Sequence, residues 1–211
     1  MKLLYGTKNE AKLASMRRTL SSLDIEIIGL NDLDNIKVPE VEEVGNDPLE
    51  NAIIKAKAYY EEYKIPVFSC DSGLFFKGLP ENIQPGVHVR TINGVYLTDD
   101  ELINYYSDLA EKYGDITARY KNAICLVIDE NTIYNSMADN LSGESFIITS
   151  KSHTKRVNGF PLDSISIHIP TGKYYYDLDN YEVGGVELDK GFIEFFENVI
   201  RSKPFSLLNN V

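Results

Sequence analysis

The sequence predicts an α/β fold, and three observations carry that expectation. In the first 75 residues, short apolar runs alternate with stretches whose apolar residues recur at helical spacing. Beyond residue 115 the pattern changes to a β-rich meander that closes on a last helix. With 211 residues, 43% of them hydrophobic, the chain can bury a sizeable core at the upper end of what one domain holds. A single domain over residues 1–211 is therefore expected.

The elements follow in order. Leu3-Leu4-Tyr5 is a short apolar strand that breaks at Gly6, and from Asn9 the residues Leu13, Met16, Leu20 and Leu23 lie at helical spacing. Ile25 to Leu30 reads as a second strand, followed by an acidic, irregular stretch from Ile36 to Asp47. Asp47-Pro48-Leu49-Glu50 combines a cap residue, proline at the first helical position and an acid two places later, which predicts a helix to about Tyr63. Ile65 to Cys70 is a buried strand expected to end at Asp71-Ser72-Gly73, so the opening order is βαβαβ. Thr98 to Glu101 start another helix, with Leu102, Ile103, Tyr106 and Leu109 on one face and Gly114 ending it. Residues 116–120, 123–128, 132–137 and 145–149 read as strands, with Asp129-Glu130-Asn131 as a hairpin turn, and a last helix is expected from Leu188 to Arg201.

Charge and cysteine content exclude several functions. A net charge of −11 is wrong for a nucleic-acid surface, which needs a basic face. No apolar run approaches the roughly 20 residues that span a bilayer, and the N-terminus runs into a polar loop unlike a signal peptide, so a soluble, cytoplasmic protein is expected. Cys70 and Cys125 have no CxxC neighbour and read as reduced core thiols. His88, His153 and His168 lack metal-ligand spacing and a nucleophile motif.

For so acidic a chain, binding a polyanion requires a few placed cations, and the sequence offers them locally. Ligands of open α/β sheets sit beyond the carboxyl ends of strands. Thr7-Lys8-Asn9-Glu10-Ala11-Lys12 follows the first strand, and Asp71-Ser72-Gly73 follows the third. The first supplies a hydroxyl, an amide, two lysines and the N–H groups of a helix start, all suited to phosphate, although it is not a Walker loop and Asn9 also reads as an ordinary N-cap. Glu40, Glu42 and Glu43 form an acidic cluster that reads either as solvated surface or as the source of a carboxylate for a hard cation. A carboxylate at Asp71, beside the apolar Val67-Phe68, is costly unless paired or metal-bound. Glu50 is explained as a capping acid, and Lys55 reads equally as a site lysine or an exposed helix lysine.

Together these segments resemble the inosine triphosphate pyrophosphatase family, the non-canonical purine NTP pyrophosphatases. Thr7 to Lys12 is similar to the family's phosphate loop and Val38 to Gly45 to its acidic segment. Glu50-Asn51-Ala52-Ile53-Ile54-Lys55-Ala56 resembles its ENAxxKA helix, Asp71-Ser72-Gly73-Leu74 its DSGL turn and Pro85-Gly86-Val87-His88 its PGVH element. The resemblance implies two α/β lobes around a long central mixed sheet, a nucleotide in the cleft and a homodimer. It also implies hydrolysis of ITP, dITP or XTP to NMP and pyrophosphate with Mg2+. By the same match, Asp71 and Lys12 are catalytic and Glu42 and Asp71 hold the metal. Thr7, Lys8, Asn9, Glu10, Ala11, Lys12, Lys55, Ser72, Phe160 and Asp163 would line the substrate.

The second half departs from the family. Gly159 to Ile165 resembles its GFGYDPIF segment but has Leu162 for the aromatic, Cys70 stands for the first aspartate of the double-aspartate turn, and no SHR element follows residue 180. His153, Lys155 or Arg156 could stand in for the lost basic group. Two rival readings follow: cleavage of a different modified nucleotide, or a nucleotide-binding protein with weak or lost catalysis.

Overall fold

The computed structural model describes residues 1–33, 38–157, 160–178 and 185–202, with side chains left out for 185–189. The elements are β1 (Lys2–Tyr5), α1 (Glu10–Thr19), β2 (Glu26–Gly29), α2 (Pro48–Tyr63), β3 (Val67–Phe76), β4 (Thr91–Ile92), β5 (Val95–Tyr96), α3 (Asp99–Tyr113), β6 (Ile116–Asp129), β7 (Thr132–Ser136), β8 (Phe146–Ile148), β9 (Ser166–His168) and α4 (Gly185–Ser202). Among the described residues seven strands form one sheet in the order β2-β1-β3-β6-β8-β9, with β7 beside β6. β1 runs parallel to β2 and β3, whereas β6 pairs antiparallel with β7 and β8. The sheet is mixed, and the α/β class expected from the sequence holds.

Two compact units divide the chain: Met1–Ser72 with Asn122–Ser142 and Glu187–Val211, and Gly73–Lys121 with Gly143–Val186. In the first, apolar residues cover both faces of the parallel strands. Leu3, Tyr5, Phe68, Leu13, Met16 and Phe196 form one cluster, and Leu4, Val67, Ala52, Ala56 and Tyr59 form another. The second unit has its own core, in which Leu74, Phe76, Leu102, Tyr106, Phe146, Leu162 and Ile165 meet.

Local chemistry explains the helix starts. Asn9 caps α1, its Oδ1 accepting from the N–H groups of Ala11 at 2.9 Å and Lys12 at 3.1 Å. Asn9→Ala should cost about 1 kcal/mol of stability, read from a denaturant titration, because two helix N–H groups lose their acceptor. Asp47 caps α2 in the same way, with Pro48 in the first turn, and the Glu50 carboxylate accepts from the Asn46 N–H at 2.8 Å. Thr98 and Glu101 close a capping box at α3.

Two boundaries differ from expectation. Asp71-Ser72-Gly73 is no turn: β3 continues through it to Phe76, because Leu74 exchanges both backbone hydrogen bonds with Gly86 at 2.9 and 3.0 Å. Gly73 is required there, since a Cβ would stand 3.0 Å from the Gly86 oxygen and 2.8 Å from the Phe75 ring. The two strands read at 116–120 and 123–128 are one, β6, in which the buried Asn122 donates to the Leu141 carbonyl at 2.7 Å. Gly159, which opens the segment that resembles the family's GFGYDPIF, and residues 179–184 lie outside the described residues. Among the described residues no helix is long and apolar enough to cross a membrane.

Candidate active site

β1 and β3 are hydrogen-bonded parallel neighbours, with Tyr5 in register with Phe68, so the segments that follow them start side by side. Gly6 permits this approach: its N–H donates to the Phe68 carbonyl at 2.8 Å, and a Cβ would lie 2.3 Å from Ser69 Oγ. The Thr7–Lys12 segment then turns away, with Thr7 Oγ1 accepting from the Asn9 N–H at 3.2 Å. Lys8 and Lys12 are exposed. Glu10 is also exposed, and its carboxylate accepts from Asn31 Nδ2 at 2.5 Å. Asn9 and the N–H groups of Ala11 and Lys12 are therefore engaged in capping, and the ammonium groups are what the loop presents to an anion.

α2 turns one face to β3. Asn51, Lys55 and Tyr59 recur every four residues on it and are all buried, so Lys55 is not a surface lysine. Its Nζ lies 2.7 Å from Asp71 Oδ1 and 3.1 Å from Glu43 Oε2. Asn51 Nδ2 donates to Asp71 Oδ2 at 3.2 Å while its Oδ1 accepts from the Gly45 N–H at 2.8 Å. One amide thus fastens the acidic segment to the strand. Asp71 is only 8% exposed and Lys55 9%, so each charge depends on the other. Burial pulls the Lys55 ammonium down, but the adjacent Asp71 and Glu43 charges outweigh it and leave its pKa raised. Burial pushes the Cys70 thiol up to about 12, against a hydrogen bond from Tyr5 and the opposing charges of Lys12 and Lys55. Cys70 therefore stays a neutral thiol next to Asp71, and Lys12 acts on the same neighbourhood.

Of the residues expected here, Lys55 and Asp71 are in contact, and Lys12 acts on Cys70, the neighbour of Asp71 in the chain. Ser72 is half-buried beside Asp71. Glu42 is exposed, and it is Glu43, one place on, that reaches Lys55. Glu43 and Asn51 were visible only as members of motifs; the distances give them their places.

Phe160 and Asp163 belong to the second unit. Phe160 is 38% exposed, and its carbonyl accepts from the Tyr176 hydroxyl at 2.9 Å. Leu162 is buried in that unit's core. His153 packs against the rings of Tyr174 and Tyr176, its Nε2 is 3.3 Å from Asp177 Oδ1, and Lys155 Nζ lies 5.3 Å from the centre of the Tyr176 ring. Burial raises the Asp163 carboxyl to about 6. A carboxyl raised in the folded state holds a proton that the unfolded chain releases. Its stabilising contribution is complete below the ordinary value of 3.8 and is lost as pH rises through about 6. Asp163→Asn should remove that loss: between about pH 4 and pH 6.5 the melting temperature of the variant gains steadily on the wild type, checked by melting curves across that range.

A family model, the Ham1 family, matches residues 3–178. The chain belongs to the Ham1 family. This Ham1-family chain is 44% identical over 88 residues to a dITP/XTP pyrophosphatase of Aquifex aeolicus, a match covering 42% of the chain and 40% of that protein. It is 34% identical over 150 residues to the dITP/XTP pyrophosphatase of a Hydrogenobaculum species, covering 62% and 69%. Its fold superposes on the structure of a HAM1 protein from Coxiella burnetii with a TM-score of 0.75 and 27% identity, over 96% of this chain and all of that one. The family resemblance carried by the first 90 residues stands, and with it the fold.

Proposed function

We propose that the chain hydrolyses deaminated purine nucleoside triphosphates, dITP, XTP and ITP, to the monophosphate and pyrophosphate. The observation that carries this reading is the buried Lys55–Asp71 pair, held by Asn51 and Glu43 at the strand that neighbours the Thr7–Lys12 loop. Curated Ham1 relatives bear that activity in their names.

The chemistry follows from the groups present. Lys12 and Lys8 offer exposed ammonium groups to the β- and γ-phosphates. Asp71 accepts the proton of a water that adds to the α-phosphorus, the bond to the bridging oxygen breaks, and pyrophosphate leaves. Among the described residues no cluster of three His, Cys, Asp or Glu side chains surrounds a common point. A magnesium ion, however, typically takes one or two carboxylates and completes its shell with water and substrate phosphates. Asp71 and Glu43, hard oxygen donors facing one ammonium, fit that requirement, with Glu42 adjacent on the same segment. Bound there, Mg2+ supplies neutralisation of phosphate charge.

Incubation with dITP, XTP, ITP and the ordinary triphosphates in Mg2+ tests the reading. Monophosphate and pyrophosphate from the deaminated purines are expected; orthophosphate, or no product, sinks it. A second reading keeps the cleavage but changes the base, because Leu162, at the place of the aromatic in the family motif that this segment resembles, is a core residue. A pyrimidine preference in the same panel would select it. Lys12→Ala should raise KM for the triphosphate roughly tenfold or more, the loss of one charge-assisted phosphate contact, with a smaller effect on kcat. A homodimer completes the proposal, and light scattering on the purified protein decides it.

A further inference from the structure

Tyr59 lies one helical turn beyond Lys55 on the buried face of α2, and its side chain has two unlike ends. The ring is core. It belongs to the cluster of Leu4, Ala56 and Val67, and it stacks on the Tyr63 ring with centres 6.3 Å apart and planes within 9°. Its edge lies against Gly6, where a Cβ would stand 2.5 Å from Cδ2 and 2.9 Å from Cε2. Gly6 leads into the Thr7–Lys12 segment, so the ring borders the backbone from which that loop departs.

The hydroxyl is not accounted for by packing. Tyr59 is only 5% exposed, yet among the described residues its hydroxyl makes no hydrogen bond. Buried tyrosines ordinarily find a partner, as Tyr106 does in donating to the Val89 carbonyl at 2.8 Å. Among the described residues the Tyr63 hydroxyl is the one that is both fully enclosed and without a partner, so the Tyr59 oxygen keeps an opening to solvent. Lys55 and Glu43 are the charges that act on it. Neither is bonded to it, because the Lys55 ammonium is already held by Asp71 and Glu43. Burial raises the hydroxyl above its ordinary 10.0, with Lys55 opposing and Glu43 adding, so at neutral pH it keeps its proton and can donate. A free donor beside an ammonium, at the root of the loop that carries Lys8 and Lys12, suits the oxygens of a polyphosphate.

We infer that the Tyr59 hydroxyl is a further substrate-binding group of this site and donates a hydrogen bond to a phosphate oxygen of the triphosphate. The inference rests on the proposed function for the identity of the ligand. The ring holds the donor in place before the ligand arrives, since the stack on Tyr63 and the contact with Gly6 restrict its rotamers.

Inorganic tripolyphosphate is the probe, bound to the full chain in Mg2+ and followed by calorimetry. Tyr59→Phe keeps the ring and loses only the hydroxyl. It should weaken tripolyphosphate roughly tenfold, the size of one hydrogen bond to a charged group, and raise KM for dITP by a similar factor. The melting temperature should stay within about 2 °C of the wild type, because no hydrogen bond within the protein is lost. Tyr63→Phe removes the enclosed hydroxyl next to it and should change tripolyphosphate binding by less than about twofold.

Binding by Tyr59→Phe equal to that of the wild type overturns the inference. So does equal weakening by Tyr59→Phe and Tyr63→Phe, which would make the ring stack the cause, or the absence of tripolyphosphate binding by the wild type. If Tyr59→Phe melts lower than expected, the 13Cζ resonance of Tyr59 in the wild type decides the matter: it should shift on addition of tripolyphosphate, and a fixed resonance overturns the inference. Failure of the nucleotide assay alongside the expected tripolyphosphate pattern would reject the proposed function and leave Tyr59 as a polyphosphate contact.

Discussion

Asp71→Asn is expected to lower turnover by roughly a thousandfold, within the range lost when a general base is removed, while triphosphate binding stays measurable. The substitution keeps the size of the side chain and an oxygen for Lys55 and Asn51, but it removes the basic carboxylate that those contacts hold in place. Lys55 retains Glu43 as its second partner, so the local charge is not stranded. Steady-state turnover and calorimetric binding on the same preparation separate the two effects. Turnover near the wild-type level would remove Asp71 from the base role, and loss of binding alone would make it a binding residue instead.

The second large effect is on stability. Lys55→Met should destabilise the chain by about 3–5 kcal/mol, because it leaves the 8%-exposed Asp71 with an amide and no cation. For a chain of this length that corresponds to a fall in melting temperature of roughly 6–20 °C. The charge pair also sets the direction with pH. The Lys55 pKa is raised, so its contribution is present below the ordinary lysine value of 10.5 and is lost only as pH rises through the higher folded value. The deficit of Lys55→Met should therefore be flat across neutral pH. Divalent cation should recover part of it, since an ion that binds the folded state alone raises stability by mass action. A melting temperature within about 2 °C of the wild type would show that the pair does not hold the site together.

How much of this could be read in the sequence depended on the range of the interaction. Asn9, Asp47-Pro48-Glu50 and Thr98-Glu101 announce helix starts because a cap is made within three or four residues, and all three are caps in the structure. The βαβαβ opening was likewise carried by local periodicity. Asp71-Ser72-Gly73 was misread because serine and glycine are turn residues, whereas the extended backbone there is held by Gly86, thirteen residues beyond Gly73. Lys121-Asn122 suggested a break for the same reason, but Asn122 finds its acceptor at Leu141 and the strand runs on. Lys55 could not be told from a surface lysine, since only its partner 16 residues away explains its burial. The choice between Glu42 and Glu43 was equally out of reach, because adjacent residues of an irregular segment point apart and only the folded chain shows which meets α2.

Water attack on the α-phosphorus, with Asp71 as the base, is the central step of the proposed reaction, and isotope labelling tests it most directly. Hydrolysis of dITP in 18O-labelled water is predicted to put one label into the deoxynucleoside monophosphate and none into the pyrophosphate. Label in the pyrophosphate, or release of labelled orthophosphate, would contradict it.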